Sequence, residues 1–416
     1  MKKWLFFWGY LILGCLTINA QQRCSTVSHN EFLKETKPGY AQNLHDTEQF
    51  MRSGVVHHKA LEDEILIVPV VVHIVYKTEA QNVSDDEVYR MITTLNEDFN
   101  GQNGNVPSIP SPFNQVVANM QIQFVLATTD PSGTPTNGIV RKKTNRLEFT
   151  DTNYMKFDYL DGDDAWDVTQ YFNIWVCQLE NIFLGYAEQP TSSPSNSYGA
   201  VVNTCTVKGY CEPFELNKTI VHEIGHCFTL RHIWGDDGND CTGSDEIDDT
   251  PNQTNRTFGC PSFPELDECS PSNPGVMFMN FMDYTDDVCM AMFTEGQKVR
   301  ARNALLTYKE SLTLSDVAEP ILTTDVGLVA CIEPSTVLCD NWLNPQVRIR
   351  NFGANDLTSV TIDYTIIGLE TVSYTWTGNL GFHEIATVSL PSMALDGGVY
   401  SLILNIADAN GYLDDD

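Results

Sequence analysis

The chain has 416 residues, 42% of them hydrophobic, which is enough for two or three domains with sizeable cores and excludes an intrinsically disordered protein. Its 24 lysines and arginines stand against 55 aspartates and glutamates, a formal charge of -31. Such a surface repels nucleic acid and anionic lipid and excludes binding to polyanions.

Residues 1–20, MKKWLFFWGYLILGCLTINA, carry Lys2 and Lys3, a short apolar stretch and the small Ala20 at a cleavage point. This reads as a secretory signal. A membrane anchor is disfavoured because no basic stop-transfer segment follows and no later apolar run reaches spanning length. A lipoprotein, acylated at Cys15 after Leu13-Gly14, is the minor alternative. Twelve cysteines suit an oxidising compartment; Cys15 leaves with the signal, and the remaining number is odd. Residues 21–60 are polar and show no sustained period of 3.6 or 2, which suggests a prosegment. Within them, His57 and His58 are neighbours that point apart on an extended chain, so a solvated junction is the better reading than a metal pair.

The run ILIVPVVVHIVY, 65–76, has the β-branched density of a buried strand, with His73 as a satisfied core histidine. Ser84 and Glu87 form a capping box before a scaffold helix whose Val88, Met91, Ile92, Leu95 and Phe99 share a face. MQIQFVLA (120–127) and FNIWVCQL (172–179) read as further strands, so the pattern is mixed α/β. GYAEQPTSSPSNSYGAVVN (185–203) has strand-like ends around a polar loop and is expected to form an exposed edge above a cleft.

HEIGHCFTLRH, residues 222–232, gathers three of the nine histidines. Leu216, Ile220, Ile224 and Phe228 predict a helix starting near Glu215. His222 and His226 then share its other face one turn apart, placed to chelate one Zn²⁺ at about 2.0–2.1 Å each. Glu223 lies beside them, placed to take a proton from an attacking water and not to ligate. On an unbroken helix His232 would stand roughly 240° round from His226, so it ligates only if the helix ends by Leu230 and the chain turns back.

This arrangement resembles the metzincin clan of zinc peptidases, whose HExxHxxGxxH pattern supplies the third histidine through such a turn. Thr229 stands where the clan has its turn glycine. A β-branched residue at positive φ costs about 1–2 kcal/mol, so the turn is either strained there or built by another backbone path. Met282 and Tyr284, in MNFMDYTDDVCMAMF (279–293), resemble the clan's Met-turn. GYAEQP before the helix, DDTPNQ after it and FMDYTDDVCMAMF resemble the pappalysin family, with its cytophagalysin-like bacterial members, over about residues 60–310. The resemblance implies an α/β (α+β) catalytic domain with catalytic zinc on His222, His226 and His232. Glu223 would be the general base, passing its proton to the leaving amine, and Tyr284 would stabilise the oxyanion.

The same resemblance implies structural calcium in GDDGNDCTGSDEIDDTPNQ (235–253), at Asp245, Asp249 and Thr250; the plain reading of that loop, which does not match an EF-hand, is a solvated acidic segment. Cys241, Cys260, Cys269 and Cys289 bracket it and allow three pairings, of which the resemblance favours Cys241 with Cys269 and Cys260 with Cys289. Cys205 and Cys211 are spaced to close a short loop, while Cys177 and Cys227 read equally well as buried thiols or as disulfide partners. Arg23-Cys24 resembles the arginine-cysteine pair near the start of pappalysin proforms. That implies a latch in which the Cys24 thiolate is the fourth zinc ligand until the segment is trimmed near Arg52-Ser53. The bland reading pairs Cys24 with another cysteine or makes it incidental.

Past residue 315, the alternating runs PQVRIRN, SVTIDYTIIG, IATVSLP and VYSLILNIAD predict an antiparallel β-sandwich. It resembles CARDB-type adhesion modules, with a surface, carbohydrate or protein contact as its implied role; separately, Cys331 and Cys339 are candidates to pair within it. The expected organisation is a signal peptide at 1–20, a prosegment at 21–60, a metzincin catalytic domain at 61–314 and the accessory β-domain at 315–416. The expected function is a secreted zinc endopeptidase, made latent, acting on proteins or peptides, with no nucleic-acid partner and no stable membrane insertion after signal removal. The rival is a secreted adhesion protein whose metzincin-like domain lost activity through Thr229; an intact Glu223 and three histidines favour the enzyme.

Overall fold

The computed structural model describes residues 22–61, 64–180, 183–193, 195–236, 241–318, 324–334, 342–353, 355–369, 371–381, 384–396 and 398–411. The expected signal peptide, with Cys15, and the expected partner Cys339 lie outside the described residues. The segment without an evident sequence period forms a short strand, β1 (Gln22–Cys24), and two helices, α1 (Thr26–Thr36) and α2 (Tyr40–Arg52). Their buried side chains are Thr26, His29 and Leu33 on α1 and Tyr40 and Thr47 on α2, too polar to mark an apolar stripe.

β2 (Leu66–Tyr76) is buried along nearly its whole length, and α3 (Asp85–Phe99) starts at the Ser84–Glu87 capping box read from sequence. β3 (Ile122–Leu126), β4 (Ile139–Lys143), β5 (Phe172–Cys177), β6 (Phe183–Ala187) and β7 (Ala200–Asn203) complete a seven-stranded sheet ordered β1-β6-β7-β5-β2-β3, with β4 also on β2. Only β6 and β7 pair antiparallel. The edge expected to be exposed at residue 185 is therefore covered: β1 lies parallel on β6, with Cys24 opposite Gly185. His73 behaves as a core histidine, its Nδ1 2.6 Å from Asp163 and its Nε2 2.9 Å from Asn173.

α4 (Thr204–Lys208) leads to α5 (Lys218–Cys227), and α6 (Glu295–Tyr308) and α7 (Glu310–Thr313) close this part of the chain. α5 is shorter than its sequence period suggested: Leu216 precedes it and is exposed. One apolar core joins Val70, Val72, Met91, Leu95, Ile220 and Ile224, so α3 and α5 pack on the same sheet. Disulfides link Cys205 to Cys211, Cys241 to Cys269 and Cys260 to Cys289, while Cys177 and Cys227 are buried free thiols.

The C-terminal part contains β8 (Val326–Glu333), β9 (Trp342–Leu343), β10 (Gln346–Asn351), β11 (Leu357–Ile366), β12 (Thr371–Leu380), β13 (Ile385–Ser389), β14 (Met393–Ala394) and β15 (Leu402–Ala409). They form antiparallel sheets β13-β10-β8 and β12-β11-β15 and the small pair β14-β9. Val347 and Ile349 of β10 share one apolar cluster with Val360, Ile362 and Tyr364 of β11. Among the described residues no helix is long and apolar enough to cross a membrane.

Candidate metal centre

α5 begins with Asn217 at a left-handed φ of 62° and no side-chain cap of its own. Asp287 supplies the missing acceptor: its Oδ2 takes the N–H groups of Leu216 (2.9 Å) and Lys218 (3.3 Å). The far end closes with the two bonds of a Schellman motif, Leu230 N–H to Gly225 O and Thr229 N–H to His226 O, both 3.0 Å. Thr229 holds the left-handed position at φ 67°, so the turn is made at the residue where sequence predicts strain. Arg300 Nε donates to the Thr229 carbonyl at 2.9 Å. The reversal brings His232 back to the other two histidines.

The three Nε2 atoms converge, with His226 3.1 Å from both His222 and His232. Each Nδ1 faces an acceptor: Phe281 O for His222 (2.7 Å), Leu230 O for His226 (2.8 Å) and the Asp236 carboxylate for His232 (2.7 Å). These partners hold a proton on every Nδ1 and leave every Nε2 with a bare lone pair aimed at one point. Burial holds His226 down to about 3 and His222 well below the usual histidine range, and the neighbouring imidazoles add to this. Three buried imidazole nitrogens whose lone pairs face one point this closely repel unless a cation lies between them, so the set fits zinc. Met282 packs against the same helix: a Cβ on Gly225 would sit 2.6 Å from its Sδ, so glycine permits the thioether to approach α5.

Cys24 completes the cluster, its Sγ and the three histidine donors all lying within 4.8 Å of one another. Its thiol also donates to Glu223 Oε2 (3.3 Å), and burial pushes it up well above its usual range. Thr26 Oγ1 donates to the same carboxylate oxygen (3.0 Å), while Glu223 Oε1 is buried without a partner among the described residues. Burial pushes Glu223 up to about 8, against the lowering effect of its bonds from Cys24 and Thr26. Tyr284 OH donates to the Cys24 carbonyl at 3.2 Å. Beside the metal cluster, the Arg23 guanidinium fills a pocket, 2.6 Å from Asp287 Oδ1 and from Thr285 O and 5.1 Å above the Phe214 ring.

The structure therefore gathers His222, His226, His232, Glu223, Tyr284, Met282 and Cys24 in one place. It does not gather the expected calcium ligands in the same way. Thr250 donates to both Asp245 oxygens (2.9 Å), whereas Asp249 accepts from Thr294 and from the Gly296 N–H at the start of α6. Sequence reading missed Thr26, Asp236 and Asp287. Asp236 carried a faint signal, four residues past His232, but a lone aspartate in an acidic loop does not stand out.

A family model described as pregnancy-associated plasma protein-A matches residues 158–306. An extracellular metalloprotease of Pyricularia oryzae is 27% identical over 318 residues, 74% of this chain and 97% of that protein. Promirolysin of Tannerella forsythia, solved as a mutant, is 38% identical, covers 71% of this chain and 98% of its own, and superposes with a TM-score of 0.65. The chain belongs to the pappalysin family of metzincin peptidases. Mature mirolysin, solved with a cleaved peptide, is 41% identical over 62% of this chain and 99% of its own, at a TM-score of 0.59. As a pappalysin this chain is a zinc metalloendopeptidase, and its substrates are peptides or proteins.

Proposed function

We propose that the protein is a secreted endopeptidase held latent by its own N-terminal segment. The observation that carries this reading is the placement of Cys24 among the three histidines while Arg23 and Thr26 tie the same segment to Asp287 and Glu223. The groups that meet the Glu223 carboxylate are a thiol and a hydroxyl, not a scissile carbonyl, so the segment blocks the base without being cut. The larger share of the chain covered by promirolysin than by mature mirolysin supports the same division. Extracellular relatives support secretion, with 1–20 as the signal peptide.

In the trimmed enzyme, spanning 61–314 with a β-sandwich accessory domain at 315–416, His222, His226 and His232 would hold zinc above a Met-turn at Met282. Zinc, when bound, supplies Lewis acidity toward water and carbonyl. Glu223 would take the proton of the attacking water and deliver it to the leaving amine, and Tyr284 OH, released from the Cys24 carbonyl, would donate to the oxyanion. The Arg23 pocket would then accept a guanidinium or ammonium of the substrate against Asp287. Calcium at Asp245, with Asp249 and Thr250, rests on the family resemblance; Asp245 suits a cation in that its buried carboxyl is pushed up to about 7 by desolvation.

Thr229 motivated the rival reading of an inactive binding protein, yet its turn still delivers His232, so no observation now favours that reading. The test measures zinc content and hydrolysis in four forms: intact chain, chain trimmed near Arg52-Ser53, intact Cys24→Ala, and trimmed Glu223→Gln. Intact Cys24→Ala should cleave small peptides where the intact wild type is silent. Trimmed Glu223→Gln should keep zinc and lose about 10²–10⁴-fold in rate. A silent Cys24→Ala proform beside an active trimmed enzyme would replace the latch by steric blockage. Bound zinc with no cleavage by any form would sink the peptidase reading.

A further inference from the structure

Between the catalytic sheet and the C-terminal sheets lies a cavity of about 800 Å³, inside the roughly 300–1,000 Å³ range of small-ligand sites. One wall is built from α3 and β3, the other from β10, β12 and β13. Seven of its twenty lining side chains are carboxamides, against one guanidinium and two carboxylates. In a chain of formal charge -31, this wall is unusual in being nearly neutral and rich in groups that both donate and accept.

β3 is an edge strand here, and an edge normally recruits another strand. This one is already satisfied. The Asn96 carboxamide accepts from the Phe124 N–H (2.8 Å) and donates to the Phe124 carbonyl (2.9 Å), and Asn100 reaches the Ile122 carbonyl at 3.4 Å. An extended polypeptide therefore has little backbone left to pair with, which disfavours strand addition. The groups that remain for a ligand are side chains. Gln102 and Gln123 have no side-chain hydrogen bond among the described residues, and Gln121 Oε1 is buried without a partner. Across from them the Trp376 indole lies against Gly378, where any Cβ would collide with the ring. The opening between the walls is fixed by Arg350, whose guanidinium lies 4.7 Å from the Tyr89 ring and 5.3 Å from the Phe352 ring.

Vicinal hydroxyls need partners that donate and accept within one plane, as a carboxamide does, and the C–H face of a pyranose needs a flat apolar surface, as an indole offers. We propose that this inter-domain cavity is a binding site for a neutral oligosaccharide, distinct from the metal centre. It stands on its own observations and does not depend on the peptidase reading.

The full chain is titrated calorimetrically with chitohexaose, cellohexaose, maltohexaose and mannohexaose. An oligogalacturonate and a neutral asparagine- and glutamine-rich peptide serve as the anionic and polypeptide comparisons. At least one neutral hexaose should bind saturably, and more tightly than either comparison. Trp376→Ala, and separately the double variant Gln102→Ala/Gln123→Ala, should each weaken that binding about tenfold or more, as loss of a stacked ring or of two hydrogen bonds implies. Hydrolysis of a short peptide by the trimmed forms of the same proteins should be unchanged. The glutamine variant guards against misfolding by the tryptophan one. The proposal is overturned by absence of saturable binding for all four sugars, by binding that both variants leave intact, or by tighter binding of the peptide. Because hydrolysis is read in the same preparations, failure of either reading is visible without the other.

Discussion

Thr229 holds φ at 67° with its hydroxyl buried and unpartnered, a conformation that costs a β-branched residue about 1–2 kcal/mol. The surrounding bonds over-determine it: two helix-terminating N–H bonds and the Arg300 donor fix the backbone independently of the side chain. Thr229→Gly should therefore retain zinc and activity, because relief of strain offsets the roughly 1 kcal/mol entropic penalty of glycine. Zinc content and the thermal midpoint check this, and loss of zinc would mean that the threonine side chain itself holds the turn. Asp245 gives a second case. Its carboxyl is raised from 3.8 to about 7 by burial, so in the cation-free protein its ionisation opposes folding: stability is fully present below the unfolded value and falls as pH rises through about 7. A calcium ion there would remove that penalty. Calcium should raise the thermal midpoint more at pH 8 than at pH 5, and an equal or absent shift at both would remove calcium from this site.

At the scale of elements, β1, α1 and α2 were the least legible part of the sequence. Their helical faces bury threonine, histidine and tyrosine against an existing surface, and such docking leaves no apolar period to read. α3 and α5 were legible for the opposite reason, since a capping box and an i, i+4 histidine pair are local patterns. Yet the acceptor at the start of α5, Asp287, comes from 69 residues away and could only be seen in three dimensions. The docked helix α1 also carries a titratable group with a consequence for how firmly the N-terminal segment is held. His29 is fully buried, with its Nδ1 2.5 Å from the Asp151 carbonyl, its ring 4.5 Å from Tyr186 and its Nε2 without a partner among the described residues. Burial lowers it from 6.5 to about 3; Lys156 and Lys37 push the same way, while Glu188 and the Asp151 carbonyl oppose them. A histidine held below its free value loses its stabilising contribution as pH falls through 6.5. In a Glu223→Gln chain, which on the proposed mechanism cannot trim itself, cleavage of the N-terminal segment by an added protease should accelerate between pH 7 and pH 5. His29→Phe should flatten that dependence; a profile unchanged by the substitution would assign it to other groups.

For the whole molecule, the histidine cluster was readable because chelating a metal forces particular residues into fixed spacings, and the C-terminal strands were readable from simple alternation. How the two parts meet was not, because an interface between domains needs no periodicity, only a few side chains that fit. Here the fit centres on Arg350, which is 4% exposed and lies between Tyr89 of α3 and Phe352. Arg348 adds an ion pair to Asp86 at 3.2 Å, but both of its members are more than a third exposed, so its net worth is small. The stacked guanidinium is desolvated, where such contacts reach about 2 kcal/mol or more. Arg350→Ala should thus loosen the coupling between the two parts without reaching the metal centre. The expected result by calorimetry is that a single unfolding transition broadens or splits, with the C-terminal part melting first, while zinc content and hydrolysis of a small peptide stay at wild-type levels. Arg348→Ala should leave the transition nearly unchanged. If Arg350→Ala melts as cooperatively as the wild type, the two parts are joined by other contacts and Arg350 is merely enclosed between them.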